Sequence, residues 1–80
     1  MLYKLLLEQD HATLSHSGGR VASWSVRKVM RGQFATFDLV DRNTGETRLS
    51  LSSKEQAERL ILLRFPQIKP GNLTIVWPTA

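Results

Sequence analysis

The sequence predicts an α+β fold: a single, mainly antiparallel sheet of about five strands with one α-helix packed on one face. Three observations predict it. Two separate turn signals place apolar residues on the same side of three consecutive strand-like runs. A capped segment with helical apolar spacing follows the third run directly. No repeat, linker or low-complexity tract breaks the 80 residues, so residues 1–80 read as a single α+β domain.

The elements follow in order. "LYKLLLE" at the start is a strand. "QDHATLSHSGGR", residues 9 to 20, stays open: Gly18-Gly19 turns a hairpin, or Asp10 caps a short helical turn through Leu14. "SWSVRKVMRGQFATFDL" carries a turn signal at Arg31-Gly32 between two β-rich stretches. Taking those two residues as the loop pairs Val26 with Phe37 and Trp24 with Leu39. In "DRNTGETRLSLSS", Asn43-Thr44-Gly45 reads as a three-residue hairpin loop with Gly45 left-handed. Arg42 then faces Glu46, Leu39 faces Leu49 and Phe37 faces Leu51. On the opposite side Asp38 faces Ser50 and Val40 faces Arg48. The two hairpins agree on one apolar face: Ala22, Trp24, Val26, Ala35, Phe37, Leu39, Leu49 and Leu51.

That face needs a cover. Ser52-x-x-Glu55 and Ser53-x-x-Gln56 both have capping-box spacing, and Ala57, Leu60, Ile61 and Arg64 recur at helical spacing with Leu63 beside them. Pro66 stops the helix, which spans about 53 to 65. After Pro70-Gly71, "NLTIVW" turns Leu73, Ile75 and Trp77 inward as a last strand. The expected core is Trp24, Val26, Phe37, Leu39, Leu49, Leu51, Leu60, Ile61, Ile75 and Trp77. Both tryptophans fall on the inner face, so they are core residues and not base-stacking platforms.

Composition narrows the function classes. Apolar residues make up 41% of the chain, enough for a core. With no cysteine, neither disulfides nor thiolate metal sites enter the fold. The apolar runs Leu5-Leu6-Leu7 and Leu60-Ile61-Leu62-Leu63 are far short of the ~20 residues of a membrane span. "MLYKLLLEQD" is a poor signal peptide, and a cytoplasmic location is expected. Eleven Lys and Arg against seven Asp and Glu give +4, a charge that suits acidic or nucleic-acid partners.

The patterns of chemistry are missing. His11 and His16 are five apart rather than four, with Asp10 nearby but no third ligand, so no metal site is expected. Ser15-His16-Ser17 has no oriented acid. The seven carboxylates are scattered, and Glu55 and Glu58 suit helix-dipole and solvent roles. Gly18-Gly19-Arg20 lacks the Gly-Lys-Ser/Thr ending of a phosphate loop. We therefore expect no enzyme, no cofactor, no small-molecule substrate and no membrane partner.

What remains is the sheet's other face. It carries Ser23, Ser25, Arg27, Val29, Arg31, Phe34, Thr36, Asp38, Val40, Arg48 and Ser50, with Arg20, Lys28 and Arg42 near its edges or turns. Arg27, Arg48, Arg31, Arg20, Lys28 and Arg42 are the expected partner-binding residues, because the planar arginine fork pairs with carboxylate or phosphate. Asp38, flanked by Ser25 and Ser50, partly neutralises this platform.

Two resemblances attach to these residues. The stretch from Trp24 to Leu62, with three strands and the "TGETRLSLSSKEQAERL" hairpin-to-helix passage, resembles the arm-type DNA-binding domains of tyrosine recombinases. It implies a small DNA-binding module using a three-stranded sheet; an acid in the sheet face and extra strands at both ends depart from that pattern. The whole chain, as a short, cysteine-free, stand-alone α/β domain with a charged face, resembles in format the anti-CRISPR proteins of phages and mobile elements. That resemblance implies a non-enzymatic inhibitor that docks on a CRISPR surveillance complex through the basic face and blocks target DNA binding, the reading the sequence favours, with the DNA-binding module as the alternative.

Overall fold

The computed structural model describes residues 2 to 78. The architecture is α+β, one six-stranded sheet and one helix. The strands are β1 (Tyr3–Leu7), β2 (His11–His16), β3 (Gly19–Arg31), β4 (Phe34–Val40), β5 (Thr47–Leu51) and β6 (Leu73–Val76). Helix α1 spans Lys54–Arg64. The sheet order is β5-β4-β3-β2-β1-β6, antiparallel throughout except for the parallel β1–β6 pair.

The segment left open by the sequence is a strand, so the sheet has six strands where about five were expected. Ser17-Gly18 closes the β2–β3 hairpin, with His16 paired to Gly19. Both loop residues have positive φ, 53° and 80°, as a type I′ turn requires. Ser17 is the exceptional member, because its Cβ is disfavoured there. A bulge between Leu14 and Ser15 leaves Val21 unpaired and 42% exposed.

The β3–β4 loop is Gly32-Gln33 and not Arg31-Gly32. Gly32 sits at the first loop position with φ 65°, as a type II′ hairpin needs. The expected pairs therefore slide by two: Val26 pairs with Leu39 and Lys28 with Phe37. A slip of two preserves the faces, so the apolar side is the one the sequence predicts. In the β4–β5 hairpin Leu39–Leu49, Phe37–Leu51 and Asp38–Ser50 pair as expected, and Gly45 has φ 75°. The loop neck differs. Val40 pairs with Thr47 across a bulge that takes Arg48 out of the ladder, and Asp41 rather than Arg42 bonds to Glu46.

Ser53 caps α1, its hydroxyl accepting from the Gln56 N–H at 3.1 Å. Gln56 in turn accepts from the Ser52 N–H and hydroxyl, so both serines take part in the cap. The helix leaves edge strand β5 and the chain must reach β6 on the far edge. Five inter-strand gaps amount to about 24 Å, whereas the helix, at 1.5 Å per residue, covers about 16 Å. Residues 65 to 72 make up the difference, anchored by Ile68 at 3% exposure.

Leu5, Leu7, Ala12, Leu14, Trp24, Phe37, Leu39, Leu51, Ala57, Ile61, Ile68 and Ile75 form the core. Val26, Leu49, Leu60 and Trp77, expected inside it, pack against it half-buried. Leu63, beside the apolar stripe of the helix, is 79% exposed. Trp24 meets Phe65 edge-on at 6.2 Å, and Trp77 meets Phe37 at 5.4 Å.

Candidate basic ribbon and sheet face

β3 is much longer than its neighbours. At about 3.3 Å per residue its 13 residues span about 40 Å, close to the molecule's longest dimension of 38 Å. β2 pairs with β3 only as far as Ser25, and Asp10 O accepts from the Val26 N–H. On the other side, β5 pairs with β4 only as far up as Phe37. Residues 27 to 36 therefore form a two-stranded ribbon that runs beyond the rest of the sheet.

This geometry separates the six expected binding residues. Arg27 and Arg31 lie on the outer side of the ribbon, both exposed. Arg27 stands directly across from Asp38, and Arg31 from Phe34. Lys28 belongs to the helix side, opposite Phe37, where it lines a shallow groove with Gln9, Ser52, Trp77 and Pro78. Arg20 pairs with Ser15 at the far end of β3, about 36 Å along the strand from Arg31. Arg42 is exposed in the β4–β5 loop. Arg48 contacts Asp41 Oδ2 and Glu46 Oε2, each at 3.4 Å.

The middle of the outer face is accordingly a mixed-charge surface and not a uniform basic platform. Asp38 is 9% exposed and accepts a hydrogen bond from the Ser50 hydroxyl. Its neighbour across β3 is Arg27 rather than the expected Ser25, which pairs with Val40. In the tight β1–β2 turn, His11 Nδ1 lies 2.8 Å from Asp10 and Nε2 lies 3.5 Å from Glu8. The hydrogen bond from His11 holds the Asp10 carboxyl below its ordinary pKa, with a smaller contribution from the charge of Arg42. His16 is stacked on Tyr3 at 4.1 Å and does not join His11. The potential ligand atoms of Glu8, Asp10 and His11 lie within 4.8 Å of one another, a grouping that the spacing of the histidines did not disclose.

Asp41 organises the second loop. Its carboxylate accepts from the Thr44 N–H at 3.0 Å and the Asn43 N–H at 2.7 Å, and these bonds, with Arg48, lower its pKa. A depressed folded-state pKa stabilises the fold above the ordinary value of 3.8 and loses that contribution as pH falls through the lowered value. Asp41→Asn should therefore flatten the acid limb of a plot of Tm against pH below about pH 4, while retaining one oxygen for the two N–H groups. A full-size acid limb in the variant would assign the acid sensitivity to other carboxylates.

Neither tryptophan offers a stacking surface, since Trp24 is buried and Trp77 lies against Phe37. The exposed aromatic is Phe34, 77% exposed beside the ribbon tip, with Met30 nearby at 61%. Phe34 was visible in the sequence as an outer-face residue, but nothing there showed that its strand outruns the sheet. Among the described residues no helix is long and apolar enough to cross a membrane. Comparison with protein-family models, curated proteins and solved structures gives no match.

Proposed function

We propose that the protein is a non-enzymatic binding module that engages nucleic acid through the β3–β4 ribbon. One observation carries this reading. "RKVMRGQFAT", residues 27 to 36, contains three cations and no carboxylate, and so supplies three of the four net positive charges of the chain. All seven carboxylates lie outside those ten residues. A projecting arm with concentrated positive charge suits a phosphate backbone better than it suits the mixed surface of a typical protein.

The test is direct titration of a fluorescently labelled duplex, followed by anisotropy at increasing salt. Three phosphate contacts predict a log–log slope near −2.7, so affinity should fall roughly fortyfold between about 50 and 200 mM salt. A protein that leaves the duplex unbound across that range refutes the reading.

A second reading is the stoichiometric inhibitor that docks on a CRISPR surveillance complex and denies it target DNA. The apolar contact point it would use is Leu63 on α1, 79% exposed beside Leu62 and Arg59. This role requires co-elution with the complex and loss of the complex's own DNA binding, without independent capture of free duplex.

A further inference from the structure

The ribbon presents two kinds of surface whose combination narrows the ligand. Its outer side runs Arg27, Val29, Arg31 along β3 and Phe34, Thr36 along β4, with Arg31 paired directly to Phe34. At the tip, Phe34 is 77% exposed on this outer side, while Met30, paired with Ala35, is exposed on the opposite side. Arginine alone would explain attraction to phosphate. It does not explain an aromatic ring left in water at the end of a cationic arm.

We infer, building on the nucleic-acid reading, that the ribbon enters the minor groove of double-stranded DNA and inserts Phe34 between adjacent base pairs as a wedge. Apolar side chains carried on a basic arm insert in this way, partly unstacking a step and bending the duplex toward the major groove. The geometry points to a wedge and not to a sequence reader. A ribbon reading the major groove would turn hydrogen-bonding side chains on both strands toward base edges. Here Thr36 turns its hydroxyl to the Val29 carbonyl at 3.5 Å, and the tip of β4 carries in Phe34 a ring with no donor or acceptor. A platform for single strands is a poorer match as well, because it uses several aromatics in succession. Among the described residues the exposed face of the ribbon offers one. The tight Gly32-Gln33 turn keeps the tip narrow, and Arg31 beside Phe34 is placed to contact a flanking phosphate as the ring enters.

The experiment uses a duplex of about 30 base pairs, a length near which a local kink outweighs smooth bending, labelled at both ends for energy transfer. Wild-type protein should shorten the end-to-end distance on binding. Phe34→Ala should keep most of the salt-dependent affinity, within roughly tenfold, and lose the bend. Phe34→Leu, which restores an apolar wedge, should recover it. Circular dichroism should be unchanged in both, since the side chain is largely in solvent. Bending by Phe34→Ala equal to wild type, or binding by wild type with no bend, overturns the wedge and leaves the nucleic-acid reading intact. A wild-type protein that fails to bind the duplex at low salt overturns both.

Discussion

Leu39→Ala should come close to unfolding the domain. Leu39 has no exposed surface and lies on β4 between Val26 on β3 and Leu49 on β5. The helix that roofs the sheet turns Ala57 and Ile61 into the same core. Truncating a fully buried leucine costs about 2–5 kcal/mol, from lost transfer energy and the cavity left behind. A domain of this size has a total stability of about 4–12 kcal/mol. In such a domain each kcal/mol moves Tm by about 4–8 °C, so a drop of at least about 10 °C is expected by circular dichroism. Leu63→Ala is the matched comparison. The chemistry of the substitution is the same, but Leu63 is 79% exposed, and its Tm should stay within a few degrees of wild type. Similar losses in the two variants would mean that the sheet is not covered by the Ala57–Ile61 side of α1.

Features set by neighbouring residues were legible in the sequence. A serine cap needs only three-residue spacing, which offered Ser52 and Ser53 equally until the fold placed Ser53, and left-handed Gly45 needs only its own missing Cβ. The inner and outer faces were legible because strand alternation has period two, and a slip of two residues leaves it intact. That same tolerance hid the error in the β3–β4 loop. Moving the turn from Arg31-Gly32 to Gly32-Gln33 kept Phe37 and Leu39 inside but exchanged every cross-strand neighbour. Asp38 consequently faces Arg27 instead of Ser25.

Long-range pairing was the part that alternation could not supply. "HATLSH" offers only Ala12 and Leu14 as inward residues, too few to separate a strand from a helical turn. Without β2 in place, the point where β3 outruns its partner was invisible, and so was the ribbon. The bulge beside Val40 was equally hidden, although it decides the fate of Arg48. Reading β4–β5 as a regular ladder placed Arg48 on the open face. In the folded chain it bridges Asp41 and Glu46, which makes it a support of the loop as much as a residue of the surface.

That placement determines which charges should be reversed to test the ribbon. Glu at position 48 would set a third carboxylate beside Asp41 and Glu46 and confuse binding with loop stability. Arg31 avoids this, being exposed opposite Phe34, whereas Arg27 is exposed but stands across from Asp38, so the parallel Tm reports any strain that Arg27→Glu adds there. Arg27→Glu with Arg31→Glu turns the ribbon from three cations without an acid into one cation with two acids. Like charges then face the phosphates, and duplex affinity should fall on the order of a hundredfold or more at moderate salt. Lys54→Glu with Lys69→Glu changes the net charge by the same amount from exposed positions at the helix start and before the turn at residues 70 to 72. Its loss should be several-fold, carried by the weak long-range field that salt screens. Glu at position 54 gains from the first-turn dipole but stands one turn before Glu58, so the two effects offset and helix stability should change little. Anisotropy titrations at two salt concentrations, with Tm measured in parallel, separate the cases. Equal losses in the two double variants would reduce the interaction to overall charge. Full affinity in the Arg27/Arg31 variant would move the working surface off the ribbon, toward Leu63 on α1 or the β1–β2 turn.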